Sequence, residues 1–281
     1  MNDDTASTSC QSNSTAGDSA TPGEIREVSN GVFTLHANAS LSPSLWKDRE
    51  APAFELKFQV DERKALDLAA WADEHLNLDP HADPALNNSY RVHGTYFDTS
   101  ALDVFHRSPG YKKKKYRLRR YGDNEMVFLE QKRKSAGRVA KRRIQIAQAE
   151  LDRLREIPTD ADWAGNWFHR RIAVRKLSPS CSISYQRQAY FGQNAEGPLR
   201  LTLDRHLRCR LADRLAVMEV TDGLPMLPEH VLLELKFRSH MPALFKSLMR
   251  DFALMPQSVS KYRSAVQALG LVGPNGGTPH G

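Results

Sequence analysis

The sequence predicts an α+β protein dominated by strands, whose polar strand faces have a use only if the sheet closes on itself. Three observations lead there. Strand candidates outnumber helix candidates between residues 54 and 237. Their polar faces carry ions where Thr and Ser would suit an exposed strand better. The charge is also concentrated. Tyr111 to Arg143 holds 14 Lys or Arg against 3 acids, a net of +11 in a 281-residue chain whose total is +7. The remainder is mildly acidic, at −4. A basic island in an acidic body fits a concentrated anionic partner: nucleic acid, nucleotide, polyphosphate or membrane headgroups.

Taken in order, residues 1–24 are Ser, Thr, Asn, Asp and Gly with almost nothing apolar, and read as a disordered tail. Residues 25–269 read as one domain, and 270–281 as a second flexible tail. Phe54, Leu56, Phe58 and Val60 alternate with Glu55, Lys57 and Gln59, which predicts a two-faced strand. Asp61 then caps a helix over about 61–76, with Ala65, Leu68, Ala72 and Leu76 on one side. Pro80 and Pro84 mark a loop. Further strands are expected at 90–97, 115–121, 126–133, 139–146, 183–191, 199–207, 215–220 and 231–237. Gly122-Asp123-Asn124 and Ser135-Ala136-Gly137 are hairpin turns by composition. Helices are expected at 148–156, 163–176, 242–253 and 258–269.

Composition excludes several classes. Hydrophobic residues make 40% and charged residues 26%, enough for a folded core. No apolar run approaches the ~20 residues of a membrane helix. The first Lys or Arg is Arg26 and no apolar stretch follows it as in a secretory leader, so a cytoplasmic location is expected. Cys10, Cys181 and Cys209 are far apart and form no CxxC, against a zinc ribbon, a redox motif or a disulfide framework. His93, His106, His169 and His206 show no metal-binding spacing. No GxGxxG or GxxxxGK[ST] supports a Rossmann or P-loop site.

The ionic faces carry the chemistry. Lys115, Arg117 and Arg119 share one strand face. Glu130 and Lys132 share a second, Lys141 and Arg143 a third. Arg200, Thr202 and Asp204 oppose Leu199, Leu201 and Leu203, while Glu234 and Lys236 oppose Val231, Leu233, Leu235 and Phe237. For any single strand, a solvated outer face is the plainer reading. Together they describe the inside of a closed sheet, where alternate residues point into the lumen. Cations crowded there require a polyanion. Arg forks match phosphate oxygens and Lys adds point charge. Carboxylates among them would select Mg²⁺ or Mn²⁺.

Nine segments, in order, resemble one known family. They are Phe54-Glu55-Leu56-Lys57-Phe58, Tyr96-Phe97-Asp98-Thr99, Lys115 to Tyr121, Phe128 to Lys132, Lys141-Arg142-Arg143, Tyr185-Gln186-Arg187, Arg200 to Asp204, Leu233 to Lys236, and Ser260-Lys261-Tyr262. They resemble the catalytic domain of the vacuolar transporter chaperone (VTC) complex, the polyphosphate polymerase branch of the triphosphate tunnel metalloenzymes. The resemblance implies an antiparallel β-barrel of about eight strands with flanking helices. It implies ATP, triphosphate and polyphosphate as partners, Mn²⁺ or Mg²⁺ as cofactor, and transfer of the γ-phosphoryl of ATP to a growing polyphosphate chain. Lys57, Arg117, Arg119, Lys132, Lys141, Arg187, Arg200 and Lys261 fall at the family's phosphate-binding cations. Lys115, Arg143 and Lys236 project to the same faces. Glu234 falls at the family's metal carboxylate, with Glu55 and Glu130 as further metal candidates that could instead pair with neighbouring cations. The hydrolase relatives open with Glu-x-Glu-x-Lys, whereas Ala53 replaces the first Glu here, which favours the polymerase branch. The family's longer chains carry a membrane segment, so a separate membrane partner would have to supply it.

Three rival readings stay open on the sequence: a triphosphate or nucleotide hydrolase or cyclase, a non-catalytic polyphosphate-binding tunnel, and a nucleic-acid binder using the 111–143 ribbon. The last leaves the cations at 187, 200 and 236 unexplained, so nucleic acid is not the expected partner. Lys112 to Lys114 are expected to form an entrance funnel, and Asp98 to cap the following helix.

Overall fold

The structure, a computed structural model, describes residues 52–273. The expected tail at 1–24, residues 25–51 of the expected domain and residues 274–281 of the second tail lie outside the described residues, as does Cys10.

The first strand, β1 (Ala53–Val60), leads through Asp61 into α1 (Glu62–His75). The Asp61 side chain accepts from Lys64 N at 2.8 Å, as an N-cap should. A two-residue strand β2 (Asn77–Leu78) precedes β3 (Tyr90–Asp98) and the single-turn α2 (Asp103–His106). Three strands then meander: β4 (Lys114–Tyr121), β5 (Met126–Ser135) and β6 (Arg138–Ala147). Their turns fall where composition placed them; Ala136 and Gly137 both take positive φ, which matches a tight hairpin. A 3₁₀ segment (Gln148–Arg155) and α3 (Asn166–Val174) lead to the long hairpin β7 (Ser178–Asn194) and β8 (Gly197–Leu211). The chain closes with the short β9 (Leu224–Pro225), β10 (Val231–Phe237), α4 (Ala243–Asp251) and α5 (Lys261–Ala268).

Eight of these strands close into an antiparallel barrel, in the order β7-β3-β4-β5-β6-β1-β10-β8, with β8 pairing back onto β7. Strands β2 and β9 only extend its rims. The barrel is polar inside and apolar outside. Tyr116 and Leu118 of β4 and Val127 and Leu129 of β5 point outward and are fully buried under α3 and α5, in a cluster that includes Phe168 and Tyr262. Leu201, Leu203, Leu233 and Leu235 point outward into a second cluster beneath α1 and α4. Helices are therefore needed on the outside because the lumen contributes no apolar core.

One expected strand is absent. Residues 215–220 run without strand structure across the outside of β3 and β7. Thr95 Oγ1 donates to Ala216 O at 2.6 Å, and Val220 N donates to Ser184 Oγ at 2.8 Å. Val217 and Val220 are buried there. The segment has strand-like composition but a closed barrel offers it no free edge, so outward hydroxyls take its backbone groups instead.

Candidate functional site

Alternation along seven strands brings the ionic side chains into one cavity of about 770 Å³. Strand β1 supplies Glu55 and Lys57, β4 supplies Lys115, Arg117 and Arg119, and β5 supplies Lys132. Strand β6 supplies Lys141 and Arg143, β7 Arg187, β8 Arg200, and β10 Glu234 and Lys236. Lys261, at the first turn of α5, enters from the side. Of the residues expected as phosphate or metal ligands, Glu130 alone does not line the cavity. Twelve Lys or Arg face five Asp or Glu around the wall.

The carboxylates divide by depth. Glu130 is wholly buried behind the wall, and one of its oxygens takes both Nε and Nη2 of Arg117 at 2.6 Å. Arg119 lies 3.9 Å away. Burial pushes this carboxyl up, yet Arg117, Arg119 and Lys141 outweigh it and hold it far below the usual range. Glu130 thus aims two cations into the lumen, the charge-pairing alternative to its metal reading. Glu55 and Glu234 do face the cavity. Glu55 takes Lys132 Nζ at 2.7 Å, and Glu234 takes Lys57 Nζ at 3.2 Å. Despite burial, Lys57 and Lys132 hold Glu234 well below its ordinary value. The negative charge of Glu234 is felt at Glu55, two registers away on the adjacent strand.

These two fit a hard divalent cation on donor chemistry. Among the described residues no group of three or more His, Cys, Asp or Glu converges into a protein cage. Mg²⁺ characteristically uses one or two carboxylates and takes its remaining oxygens from substrate phosphates and water. Glu55 and Glu234 supply that minimum.

Several partners of the wall cations were not expected as site residues from sequence. Asp204 is fully buried and takes a bidentate fork from Arg187 at 2.6 and 2.8 Å, together with Lys261 Nζ at 2.5 Å. Asp79 takes Arg200 Nη2 at 3.0 Å, and Tyr90 OH accepts from the same nitrogen at 3.2 Å. Tyr96 OH accepts from Arg117 Nη1 at 3.0 Å, and Tyr185 OH from Arg119 Nη2 at 3.2 Å. Asp204 and Tyr185 carried a readable signal, since Asp204 lies four residues from Arg200 and Tyr185 two from Arg187, each on the same strand face as that arginine. Asp79 carried none, because it sits in a loop 121 residues from its partner.

Two lysines are electrostatically exceptional. Lys115 has Ser260 Oγ at 2.6 Å as its hydrogen-bond partner, and burial with Lys57, Lys132 and Arg117 nearby pushes its ammonium well below the ordinary value. Burial likewise pulls Lys261 down to about 8, with Asp204 opposing and Arg187 assisting. Lys112, Lys113 and Lys114 do not line the cavity; they lie outside its wall. Asp98 is structural. Its carboxylate accepts the backbone N–H groups of Thr99, Val104 and Phe105 and the Tyr262 hydroxyl, fastening α2 and α5 to the end of β3.

The model of the VTC domain matches residues 53–270, the whole barrel with its helices. The chain belongs to the VTC-domain family. Solved structures similar to this VTC domain include a candidate adenylate cyclase from Bacillus halodurans, at 13% identity and TM-score 0.48, covering 76% of this chain and 96% of that one. The Hippeastrum protein HpAC1, a candidate adenylyl cyclase described as having a dominant triphosphatase activity, is similar at 14% identity and TM-score 0.47, covering 78% and 96%. The PH1819 protein of Pyrococcus horikoshii is similar at 12% identity and TM-score 0.45, covering 76% and 98%. No curated protein matches the chain. Among the described residues, no helix of this VTC domain is long and apolar enough to cross a membrane.

Proposed function

We propose that this VTC domain is a metal-dependent polyphosphate polymerase, transferring the γ-phosphoryl group of ATP to the end of a polyphosphate chain within the barrel. The excess of twelve lumen cations over five carboxylates carries the reading. Such a wall repels itself until an extended polyanion occupies it. A cavity of about 770 Å³ has room for a triphosphate and the end of a second chain.

In the transfer, a terminal oxygen of the polyphosphate forms a bond to the γ-phosphorus. The bond from that phosphorus to the β–γ bridging oxygen breaks, and ADP leaves with the electron pair. The attacking oxygen is already anionic near neutral pH, so no strong base is required. Arg117 and Arg119, aimed by Glu130, Tyr96 and Tyr185, bind equatorial oxygens and neutralise charge as it spreads. Arg187 and Lys261, held by Asp204, do the same from β7 and the start of α5. Mg²⁺ or Mn²⁺ held by Glu234 and Glu55 would supply further neutralisation of the phosphate oxygens. A separate membrane partner for passage of the product is part of this proposal.

The test is incubation of purified protein with ATP and Mn²⁺ or Mg²⁺, with products resolved on a gel. A ladder of polyphosphate is expected. Release of phosphate alone would make the protein a hydrolase, and a cyclic nucleotide would make it a cyclase. Binding without turnover would leave a polyphosphate-binding tunnel.

A further inference from the structure

Seven cations lie outside the cavity wall, at one rim of the barrel, and the proposed chemistry uses none of them. Lys112, Lys113 and Lys114 come from the loop before β4 and its first residue. Arg133 and Lys134 come from the end of β5, Arg171 from α3 and Arg175 from its C-cap. Lys114 pairs with Arg133 across the ladder, and Lys134 N donates to Lys113 O at 2.9 Å. Lys114 Nζ and Arg175 Nη1 both donate to Gly110 O, at 3.4 and 2.7 Å. The Tyr111 hydroxyl donates to Arg175 O at 3.0 Å, and its ring lies 5.3 Å from the Arg175 guanidinium. The cluster is therefore built, with a backbone frame that keeps like charges together.

Among the described residues, none of the seven has a carboxylate partner. Partial burial lowers the Lys114 ammonium, and Arg175, Arg133 and Arg171 nearby lower it further. Lys112, Lys113, Arg133, Lys134 and Arg171 are exposed. The cluster sits at the same end of β4 and β5 as the lumen pair Lys115–Lys132. The next pair, Lys114–Arg133, alternates to the outer face, so a chain leaving the lumen there meets the cluster over the rim.

We propose that this rim is an outer binding track for the same polyphosphate chain, taking up phosphates that extend beyond the lumen past Lys115 and Lys132. This rests on the tunnel being a polyphosphate site. A linear polyanion suits the geometry because it can thread the lumen and lie along the rim at once, so the two sites bind as one with a high effective concentration. An anionic lipid surface would match the charge, but nothing joins it to the lumen row. Triphosphate, filling only the lumen, should not sense the track.

The test compares the intact protein with Lys112→Ser, Lys113→Asn, Lys134→Ser and Arg171→Gln combined. All four positions are exposed and outside the cavity. Inorganic triphosphate and a long-chain polyphosphate serve as probes, with vesicles containing an anionic lipid as the third arm. Long-chain affinity is expected to fall about tenfold or more, and its log–log salt slope by about 0.7 per cation removed, as for a single-stranded polyanion. Triphosphate affinity should stay within about twofold, because the lumen is intact. The track is overturned if long-chain affinity falls no more than triphosphate affinity does. It is equally overturned if the variant loses vesicle binding while holding long-chain polyphosphate unchanged, which would make the face a membrane contact. Failure of the tunnel reading looks different: the intact protein would not bind triphosphate at all, whatever the rim does.

Discussion

Asp204 Oδ2 accepts a hydrogen bond from Lys261 Nζ at 2.5 Å while the Arg187 fork closes on the same carboxylate. One buried group thereby joins β7, β8 and the start of α5, and aims two cations at the lumen. Its pairing holds the carboxyl at about 2 against the pull of burial. Its contribution to stability is present above the ordinary 3.8 and is lost as pH falls toward 2. Asp204→Asn removes that charge and leaves two buried cations facing each other. Stability in urea titrations should drop by roughly 3–5 kcal/mol, the usual cost of breaking a buried pair. Added triphosphate should recover more stability in the variant than in the parent. An unchanged midpoint would show that Asp204 is not the anchor of this wall.

The empty lumen should favour alkaline conditions over a narrow window. Lys261 is at about 8 in the fold against an ordinary 10.5. Between those values the unfolded chain holds the proton and the folded one does not, so stability rises with pH. Tyr121, whose hydroxyl Arg119 brings to about 8 despite burial, acts in the same direction between 8 and 10. Above the thiols' ordinary 9, Cys181 and Cys209 oppose it, because burial pushes both upward. Urea midpoints of the ligand-free protein should therefore increase from pH 8 to 9, and Lys261→Met should flatten the slope. A midpoint that declines across this interval would contradict the assignment.

Triphosphate binding should take up protons near pH 8. Anion charge beside Lys115 and Lys261 restores their ammonium forms. Calorimetry in two buffers of different ionisation enthalpy measures the uptake. Lys261→Arg, whose side chain is always protonated, should reduce it. Equal uptake in parent and variant would place the proton elsewhere.

Arg117→Ala with Arg119→Ala should abolish stabilisation by triphosphate, but the pair also neutralises Glu130. Left alone, that fully buried carboxylate would destabilise the fold. Adding Glu130→Gln should restore the melting temperature without restoring the triphosphate-induced shift. Recovery of both together would mean that the two arginines are structural and not ligands.

Glu234→Gln keeps shape and one acceptor but loses charge. Turnover should fall by a factor of roughly 10² or more, as for loss of a principal electrostatic stabiliser. Triphosphate should still bind in the absence of metal, because the cations remain. Near-normal turnover with the same metal dependence would leave Glu234 as a partner for Lys57 only.

Much of this molecule was legible in its sequence, because alternation is a local property. All eight barrel strands coincide with segments expected as strands, and alternating ones such as KYRLRRY and VLLELKF declare their ionic face unaided. Closure into a tunnel followed from the cost of leaving so many cations together without an anion. What only the tertiary structure decided is which carboxylate answers which cation. Glu55 meets Lys132 across 77 residues, and Arg200 meets Asp79 across 121. Those distances are set by register and by the order in which strands close. The same cause sent Glu130 behind the wall while Glu55 and Glu234 stayed in the lumen. It also denied residues 215–220 the strand their composition favours, since pairing needs an edge, and the closed barrel keeps none for them.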